Sequence, residues 1–122
     1  MGIKEDCDVL NILSEEFMGT AKSKGWYSSE VYVLSGDIAA MHAEVSELYE
    51  AGRAGELNQN CNKSEKMLSL IGTTLTCAEE ECADLIIKAL CIASALNVDI
   101  SKSVFIKNEF NKSRPMRHGK KF

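Results

Sequence analysis

Apolar side chains recur every three or four residues along most of this chain, which is the period of an amphipathic α-helix. Residues 6 to about 24 carry this pattern and predict a first helix, which Gly25 ends after two nearby lysines. A second helix is predicted over residues 36–54, with Ser35 or Asp37 as its N-terminal cap. The predicted core stripe of this second helix is Ile38, Met41, Val45 and Leu48.

The second half of the chain predicts two more long helices. Thr76 and Glu79 have the spacing of a capping box and mark the start of one, in which residues 85–96 are apolar nearly all round. We therefore expect that helix to be buried on most sides. Ser101 can cap a last helix that ends at Arg114, because the residue before Pro115 disfavours the helical conformation. Residues 55–64 are a polar loop, and residues 66–72 allow a helical turn without requiring one.

Length and composition agree with this helical pattern. The 122 residues fit a single domain over residues 1–122, in which residues 115–122 form an irregular basic tail. A hydrophobic content of 45% indicates a folded chain, and the single proline with few β-branched runs favours an all-α fold. We expect a four-helix bundle.

Charge and cysteine content narrow the classes of partner. A formal net charge of −4 gives no general reason to bind a nucleic acid polymer or an anionic membrane. No apolar run is long enough to span a bilayer, and the first residues lack the layout of a signal peptide. Five irregularly spaced cysteines, none in a CxxC pair, predict reduced thiols rather than a zinc site. We expect a cytoplasmic protein.

Two acidic pairs are the candidate chemistry of the chain: Glu44-x-x-Glu47 and Glu81-x-x-Asp84. Residues three apart on a helix point the same way, so two antiparallel helices could bring four carboxylates together. Such a set suits Mg²⁺ or Mn²⁺. A single pair of carboxylates on a helix usually marks a solvated face. The second pair, however, lies on a largely apolar helix and shares its stripe with Lys88. Because burying carboxylates costs several kcal/mol unless they are paired or bind metal, we expect this stripe to face a polar cavity.

A redox di-metal carboxylate bundle is not expected. Such bundles use Glu-x-x-His motifs, and neither His42 nor His118 has a glutamate three residues before it. A P-loop enzyme is not expected either, since the chain has no glycine-rich phosphate loop.

A third motif follows the acidic pairs, and the ordered set resembles the MazG-like all-α nucleoside triphosphate pyrophosphohydrolases. The resemblance covers residues 25–122, and the third motif is Lys107-x-x-x-Asn111-x-x-Arg114-Pro115. Two features depart from the family pattern. Ala43 stands where the family often has a further glutamate before the first pair, and the interval between the two pairs is long.

The resemblance implies a Mg²⁺-dependent hydrolase, with Mn²⁺ as a substitute, that converts a (deoxy)nucleoside triphosphate to the monophosphate and pyrophosphate. It implies a house-cleaning or pool-controlling enzyme that forms a homodimer or a dimer-of-dimers tetramer. Glu47 is the candidate to orient or deprotonate the attacking water. The metal ligands that the resemblance implies are Glu44, Glu47, Glu81 and Asp84.

The same resemblance assigns substrate contacts. Lys107 and Arg114 would meet phosphate oxygens, and Asn111 would donate an amide hydrogen bond to the nucleotide. Without the acidic motifs, these residues read as a solvated helix face. Lys120, in the basic tail, would fold over the triphosphate or belong to a frayed terminus. Trp26 would stack on the base or anchor a loop to the core.

Two hypotheses therefore follow from the sequence. One is the pyrophosphohydrolase, and the alternative is a non-catalytic helical oligomer that binds a cation or a partner protein through its acidic stripe. Lys88 is open in the same way, as a counter-charge for Asp84 or as a substrate contact.

Overall fold

The computed structural model of the protein describes residues 4, 7–28 and 31–122. Within them the chain forms five α-helices and a final 3₁₀ turn: α1 (Val9–Ser23), α2 (Leu34–Arg53), α3 (Ser64–Ile71), α4 (Cys77–Ala95), α5 (Ile100–Ser113) and Met116–Gly119. No β-strand occurs in this part of the chain, so the all-α prediction is confirmed. The predicted start of the first helix at residue 6 lies outside the described residues.

Helix α4 is the centre of the fold. It packs extensively against both α1 and α2, and α1 also contacts α5. Helices α2 and α4 run antiparallel: Asp37 lies 3.8 Å from Lys88, whereas Glu44, further along α2, meets Glu81 and Asp84, which come earlier in α4. No described helix combines the length and hydropathy needed to cross a bilayer.

The capping box of α4 forms as predicted. The Thr76 hydroxyl accepts from the Glu79 amide at 3.2 Å, and the Glu79 carboxylate accepts from the Thr76 amide at 2.9 Å. The predicted cap of α5 is wrong. Asp99 caps this helix by accepting from the Lys102 amide at 3.1 Å, whereas Ser101 lies in the first turn and is buried.

Helix α1 is joined to the later helices by polar side chains that the periodic pattern does not reveal. Asn11 Oδ1 accepts from the backbone amides of Ile100 and Ser101 at 2.9 and 3.2 Å. These amides have no partner within α5, since they belong to its first turn. The Ser14 hydroxyl donates to the Leu90 carbonyl at 2.6 Å in the interior. Side-chain hydrogen bonds from Asn11 and Ser14 therefore hold α1 against α5 and α4.

The structure corrects both the cap and the core stripe of α2. The helix begins after Val33 without a side-chain cap, so Ser35 and Asp37 lie inside it. Ile38 and Val45 of the predicted stripe are 45% and 51% exposed. The buried and half-buried side of α2 is Asp37, Ala40, Met41, Glu44, Leu48 and Ala51. Because one residue rotates a helix by about 100°, this neighbouring stripe has the same period, and contact with α4 selects it.

The prediction that α4 is buried on most sides is wrong for the single chain. Its fully buried members are Glu80, Leu90, Cys91 and Ala93, whereas Ile86 is 58% exposed. The reason is that α1 and α2 cover only part of its circumference. Large apolar side chains also stay exposed on other helices, among them Ile12, Tyr49, Leu70 and Phe110.

Candidate metal centre and adjoining cavity

Three of the four predicted acidic residues meet between α2 and α4. Glu44, Glu81 and Asp84 each place one carboxylate oxygen within 4.8 Å of the others. The antiparallel packing brings the middle of α2 beside the first half of α4, and the three-residue spacing points Glu81 and Asp84 toward it. All three side chains are half-buried. We call these residues the carboxylate cluster.

Glu47 lies at the margin of the carboxylate cluster. It is exposed and does not belong to the group of three. Its charge nevertheless acts on the cluster, because it contributes to the raised pKa of both Glu44 and Glu81. The fourth predicted ligand therefore faces the solvent side of the site.

The carboxylate cluster holds more negative charge than its surroundings compensate. Burial, with a further contribution from the Glu47 charge, raises the pKa of Glu81 to about 7. Burial also raises the pKa of Glu44, and repulsion from the charge of Asp84 raises it further. The pKa of Asp84 is raised in the same way, by burial and by repulsion from Glu80.

Two oxygens of the carboxylate cluster also lack a donor. Glu44 Oε2 and Glu81 Oε2 are buried and accept no hydrogen bond from any described residue. Leaving such atoms unpaired costs free energy, and a divalent cation would relieve that cost. An all-oxygen donor set is the kind that Mg²⁺ and Mn²⁺ prefer. The residues present therefore fit the expected metal.

Lys63 is a neighbour of the carboxylate cluster that the sequence did not single out. It directly precedes α3 and donates to Glu80, the buried residue beside Glu81. Short backbone pairing across the intervening segment places it there, as the Cys61 amide donates to the Leu75 carbonyl at 2.9 Å. Sequence showed a glutamate at position 80, but no periodic pattern links it to a lysine in a loop.

A cavity of about 620 Å³ lies beside the carboxylate cluster. The end of α1, the following loop, the start of α2 and the second half of α4 form its walls. Its lining includes Trp26, Tyr27, Tyr32, Asp37, Ala40 and Lys88. Ala40 precedes Glu44 by four residues and Lys88 follows Asp84 by four, so about one helical turn, roughly 6 Å, separates cavity and cluster.

Asp37 is the polar centre of this cavity. Its Oδ2 accepts from the hydroxyls of Tyr27 and Tyr32 at 2.8 and 2.7 Å, and its Oδ1 lies 3.8 Å from Lys88 Nζ. Burial, with the hydrogen bond to Asp37, raises the pKa of Tyr32 to about 12 and also raises that of Tyr27. Both hydroxyls therefore keep their protons and donate. Neither acidic motif predicted this arrangement.

The ion partner of Lys88 is not Asp84, which was one of the two alternatives left open by the sequence. Lys88 pairs with Asp37, and its lowering effect on the pKa of Asp84 ranks below that of Lys63. Trp26 is 68% exposed and lines the cavity, so the interpretation of this residue as a core anchor is wrong.

The predicted phosphate-binding residues lie on α5 or, for Arg114, at its C-terminal cap. Lys107 Nζ and the Arg114 guanidinium both lie over the Phe110 ring, at 5.0 and 5.4 Å from its centre, and Asn111 is exposed beside them. The spacing therefore places the two cations on one face of the helix, as the sequence predicted. Helix α5 packs on α1, however, whereas the carboxylate cluster lies between α2 and α4. Within one chain the basic and acidic motifs thus belong to separate helix pairs.

The basic tail is exposed. Residues 116–119 form a 3₁₀ turn in which Arg117 and His118 have positive φ angles, of 55° and 54°. The Arg117 guanidinium donates to the Lys121 carbonyl at 2.6 Å, and Lys120 is exposed beside it. This hydrogen bond lies within the tail and does not involve the carboxylate cluster.

Comparison with known proteins gives no match for this chain. No protein-family model, no curated protein and no solved structure matches it with significance.

Proposed function

We propose that the protein is a Mg²⁺-dependent nucleoside triphosphate pyrophosphohydrolase of the MazG-like all-α type, with Mn²⁺ as a substitute metal. Its products would be the nucleoside monophosphate and pyrophosphate. The observation that carries this proposal is the carboxylate cluster, in which Glu44, Glu81 and Asp84 converge within 4.8 Å. Two of its buried oxygens lack a hydrogen-bond donor among the described residues, as expected of metal ligands.

Each acidic residue has a role that follows from its position. Glu44, Glu81 and Asp84 would hold the metal, which when bound neutralises phosphate oxygens and polarises the phosphoanhydride. Glu47 lies on the solvent side, where a carboxylate can orient a water molecule and take its proton. Lys63 limits the repulsion within the cluster through its bond to Glu80.

We also propose that the protein works as a homodimer or as a dimer of dimers. A single chain leaves large apolar side chains exposed on both α2 and α4, including Val45 and Ile86. A second copy would cover such side chains, as obligate interfaces do.

The same assembly would complete the substrate site. Lys107, Asn111 and Arg114 lie on α5 or at its C-terminal cap, and the main contacts of α5 are with α1, whereas the carboxylate cluster of the same chain lies between α2 and α4. We therefore assign them to the triphosphate held by the partner subunit, with Arg114 as a planar fork and Lys107 as a point charge. Lys120 of the tail would reach the same phosphates.

The decisive experiment measures pyrophosphate and monophosphate release from all ribo- and deoxyribonucleoside triphosphates with Mg²⁺. We expect turnover of at least one, its loss with a chelator, and its loss in Glu81→Gln and Asp84→Asn with the helical content kept. Glu50→Gln is the matched control, since Glu50 lies on α2 with its side chain 67% exposed. A folded protein that turns over none of them contradicts the proposal.

The alternative is a non-catalytic helical oligomer that binds a cation or a partner protein through its acidic stripe. The three-carboxylate geometry favours it too, because a structural cation needs only that cluster. The two functions differ in one measurement: under the alternative, Mg²⁺ raises the unfolding temperature, whereas a triphosphate neither raises it further nor is hydrolysed.

A further inference from the structure

Asp37 is a buried carboxylate that the proposed metal chemistry does not use. Only 9% of the residue is exposed, although it stands on the wall of a cavity of about 620 Å³. Cavities of roughly 300–1,000 Å³ are the usual size for small-molecule sites. A buried charge kept at the wall of such a cavity needs a partner, and the partners that it has leave one of its oxygens available.

The hydrogen bonds of Asp37 divide its two oxygens. Oδ2 accepts from both Tyr27 and Tyr32, so the protons of these hydroxyls are committed. Oδ1 accepts no hydrogen bond from any described residue, and its nearest charged neighbour is Lys88 Nζ at 3.8 Å, beyond hydrogen-bonding distance. Oδ1, which lies opposite Lys88 but accepts no hydrogen bond from the described residues, and the lone pairs of the two hydroxyls therefore offer acceptors to the cavity, with Lys88 as a donor beside them.

The backbone supports this arrangement at some cost. Helix α1 ends with the Trp26 amide donating to the Ala21 carbonyl at 3.0 Å, across Gly25 at a φ of 91°. Tyr27 follows with a φ of 59°, in the left-handed region that side chains rarely adopt. Non-glycine residues in that region are strained, and they cluster at active sites and ligand sites. Here the strained residue is one whose hydroxyl donates to Asp37.

We propose that this cavity binds the base of the triphosphate and that Asp37 selects bases with an exocyclic amine over uracil and thymine. The inference rests on the proposed function, because the carboxylate cluster one helical turn away would hold the phosphates. Trp26, exposed at the cavity, offers a ring face for stacking.

The selectivity follows from the excess of acceptors around Asp37. The amine of cytosine or adenine donates to Oδ1, while the neighbouring ring nitrogen accepts from Lys88. Guanine would direct its amine and the adjacent ring N–H to the acceptors around Asp37 and its carbonyl to Lys88. Uracil and thymine have one imino N–H between two carbonyls. One carbonyl could accept a hydrogen bond from Lys88. The other would face the oxygens of Asp37 and of the two tyrosines, which have no proton left to donate, and a buried acceptor without a donor is costly.

The test uses the α,β-methylene analogues of CTP and UTP, which resist the proposed cleavage, in the presence of Mg²⁺. Trp26 is the single tryptophan of the chain, so its fluorescence reports occupation of the cavity. We expect the CTP analogue to bind at least about tenfold more tightly than the UTP analogue. A CTP analogue with 2-pyrimidinone as its base, which lacks only the amine, should bind as weakly as the UTP analogue.

Asp37→Asn supplies the protein side of the test. If the amide oxygen takes over the tyrosine hydroxyls, the amide N–H₂ faces the ligand, and we expect the preference to disappear or to invert toward uracil. Glu50→Gln, on the same helix, should leave the ratio of the two affinities unchanged. The comparison of the three analogues on the unaltered protein gives the answer even if Asp37→Asn does not fold.

The outcomes separate this inference from the proposed function. Equal affinity for the three analogues, with pyrophosphate still released from natural triphosphates, overturns the selection by Asp37 and leaves the hydrolase standing. Release of pyrophosphate without any fluorescence response overturns the assignment of the cavity to the base. An absence of both binding and turnover overturns both.

Discussion

Lys63 donates to Glu80, and the two side chains are unequally exposed, at 60% and 8%. Removing the lysine would leave a buried carboxylate uncompensated beside Glu81. We expect Lys63→Ala to lower the free energy of unfolding by about 1–2 kcal/mol, measured by urea denaturation.

The matched control for that pair is Lys112→Ala. Lys112 pairs with Glu109, whose side chain is 49% exposed, so its removal should cost about 0.5 kcal/mol or less. Equal losses in the two variants would show that Glu80 does not depend on Lys63.

Mg²⁺ should stabilise the protein through the carboxylate cluster. A ligand at a hundred times its dissociation constant adds about 2.7 kcal/mol to the free energy of unfolding, so the unfolding temperature should rise with millimolar Mg²⁺ and fall again with a chelator. Glu81→Gln should lose this response because it removes a ligand, whereas Glu50→Gln should keep it. A full response in Glu81→Gln would place the cation elsewhere.

The metal-free protein should become less stable as the pH rises toward neutrality. The pKa of Glu81 rises from 4.5 to about 7 on folding, so between these values the folded state binds the extra proton. Its contribution is fully present below pH 4.5 and is lost as the pH passes 7. We expect the free energy of unfolding in chelator to fall by on the order of 2 kcal/mol across this interval.

Glu81→Gln tests that pH dependence, because the amide does not titrate. The slope of stability against pH should become shallower in this variant, with Glu44 and Asp84 supplying what remains. An unaltered slope in Glu81→Gln would mean that this carboxyl does not hold the proton.

Asn11→Ala should destabilise the junction between α1 and α5. The amide oxygen of Asn11 accepts from the backbone of Ile100 and Ser101, and its amide nitrogen donates to Asp99 at 2.9 Å. Loss of these bonds leaves two first-turn amides without a protein acceptor, which should cost about 1–3 kcal/mol. Thermal unfolding followed by circular dichroism measures this loss of stability. A loss below about 0.5 kcal/mol would show that water replaces the hydrogen bonds of Asn11.

Sites shared between subunits should complement one another. Glu81→Gln and Arg114→Ala should each be inactive alone. Subunit exchange between them should restore about a quarter of the wild-type rate, since half of the dimers are mixed and each mixed dimer has one intact site. No recovery, with mixed dimers demonstrated by mass spectrometry, would place Arg114 in the site of its own chain.

Local rules recovered much of the helical fold. The capping box at Thr76, the helix end at Arg114 and the helical identity of the long segments all depend on neighbours within four residues. Residue types and spacing were sufficient there, because a helix forms its backbone hydrogen bonds within itself. The predicted cap of α5 was wrong because Asp99 and Ser101 both suit that position by residue type. The hydrogen bond from the Ser101 amide to Asn11, a distant residue, holds Ser101 inside the helix.

By itself, therefore, the sequence determined that the chain is helical, where α4 begins and where α5 ends, and that two acidic pairs lie on helix faces. Only the tertiary structure decided which face of α2 meets α4, and with it that Glu44 joins Glu81 and Asp84 while Glu47 stays exposed. It alone brought Lys63 to Glu80 and gathered Tyr27, Tyr32 and Lys88 around Asp37. The physical reason is that helical periodicity is the same for adjacent stripes, whereas contacts between distant segments depend on how whole helices pack.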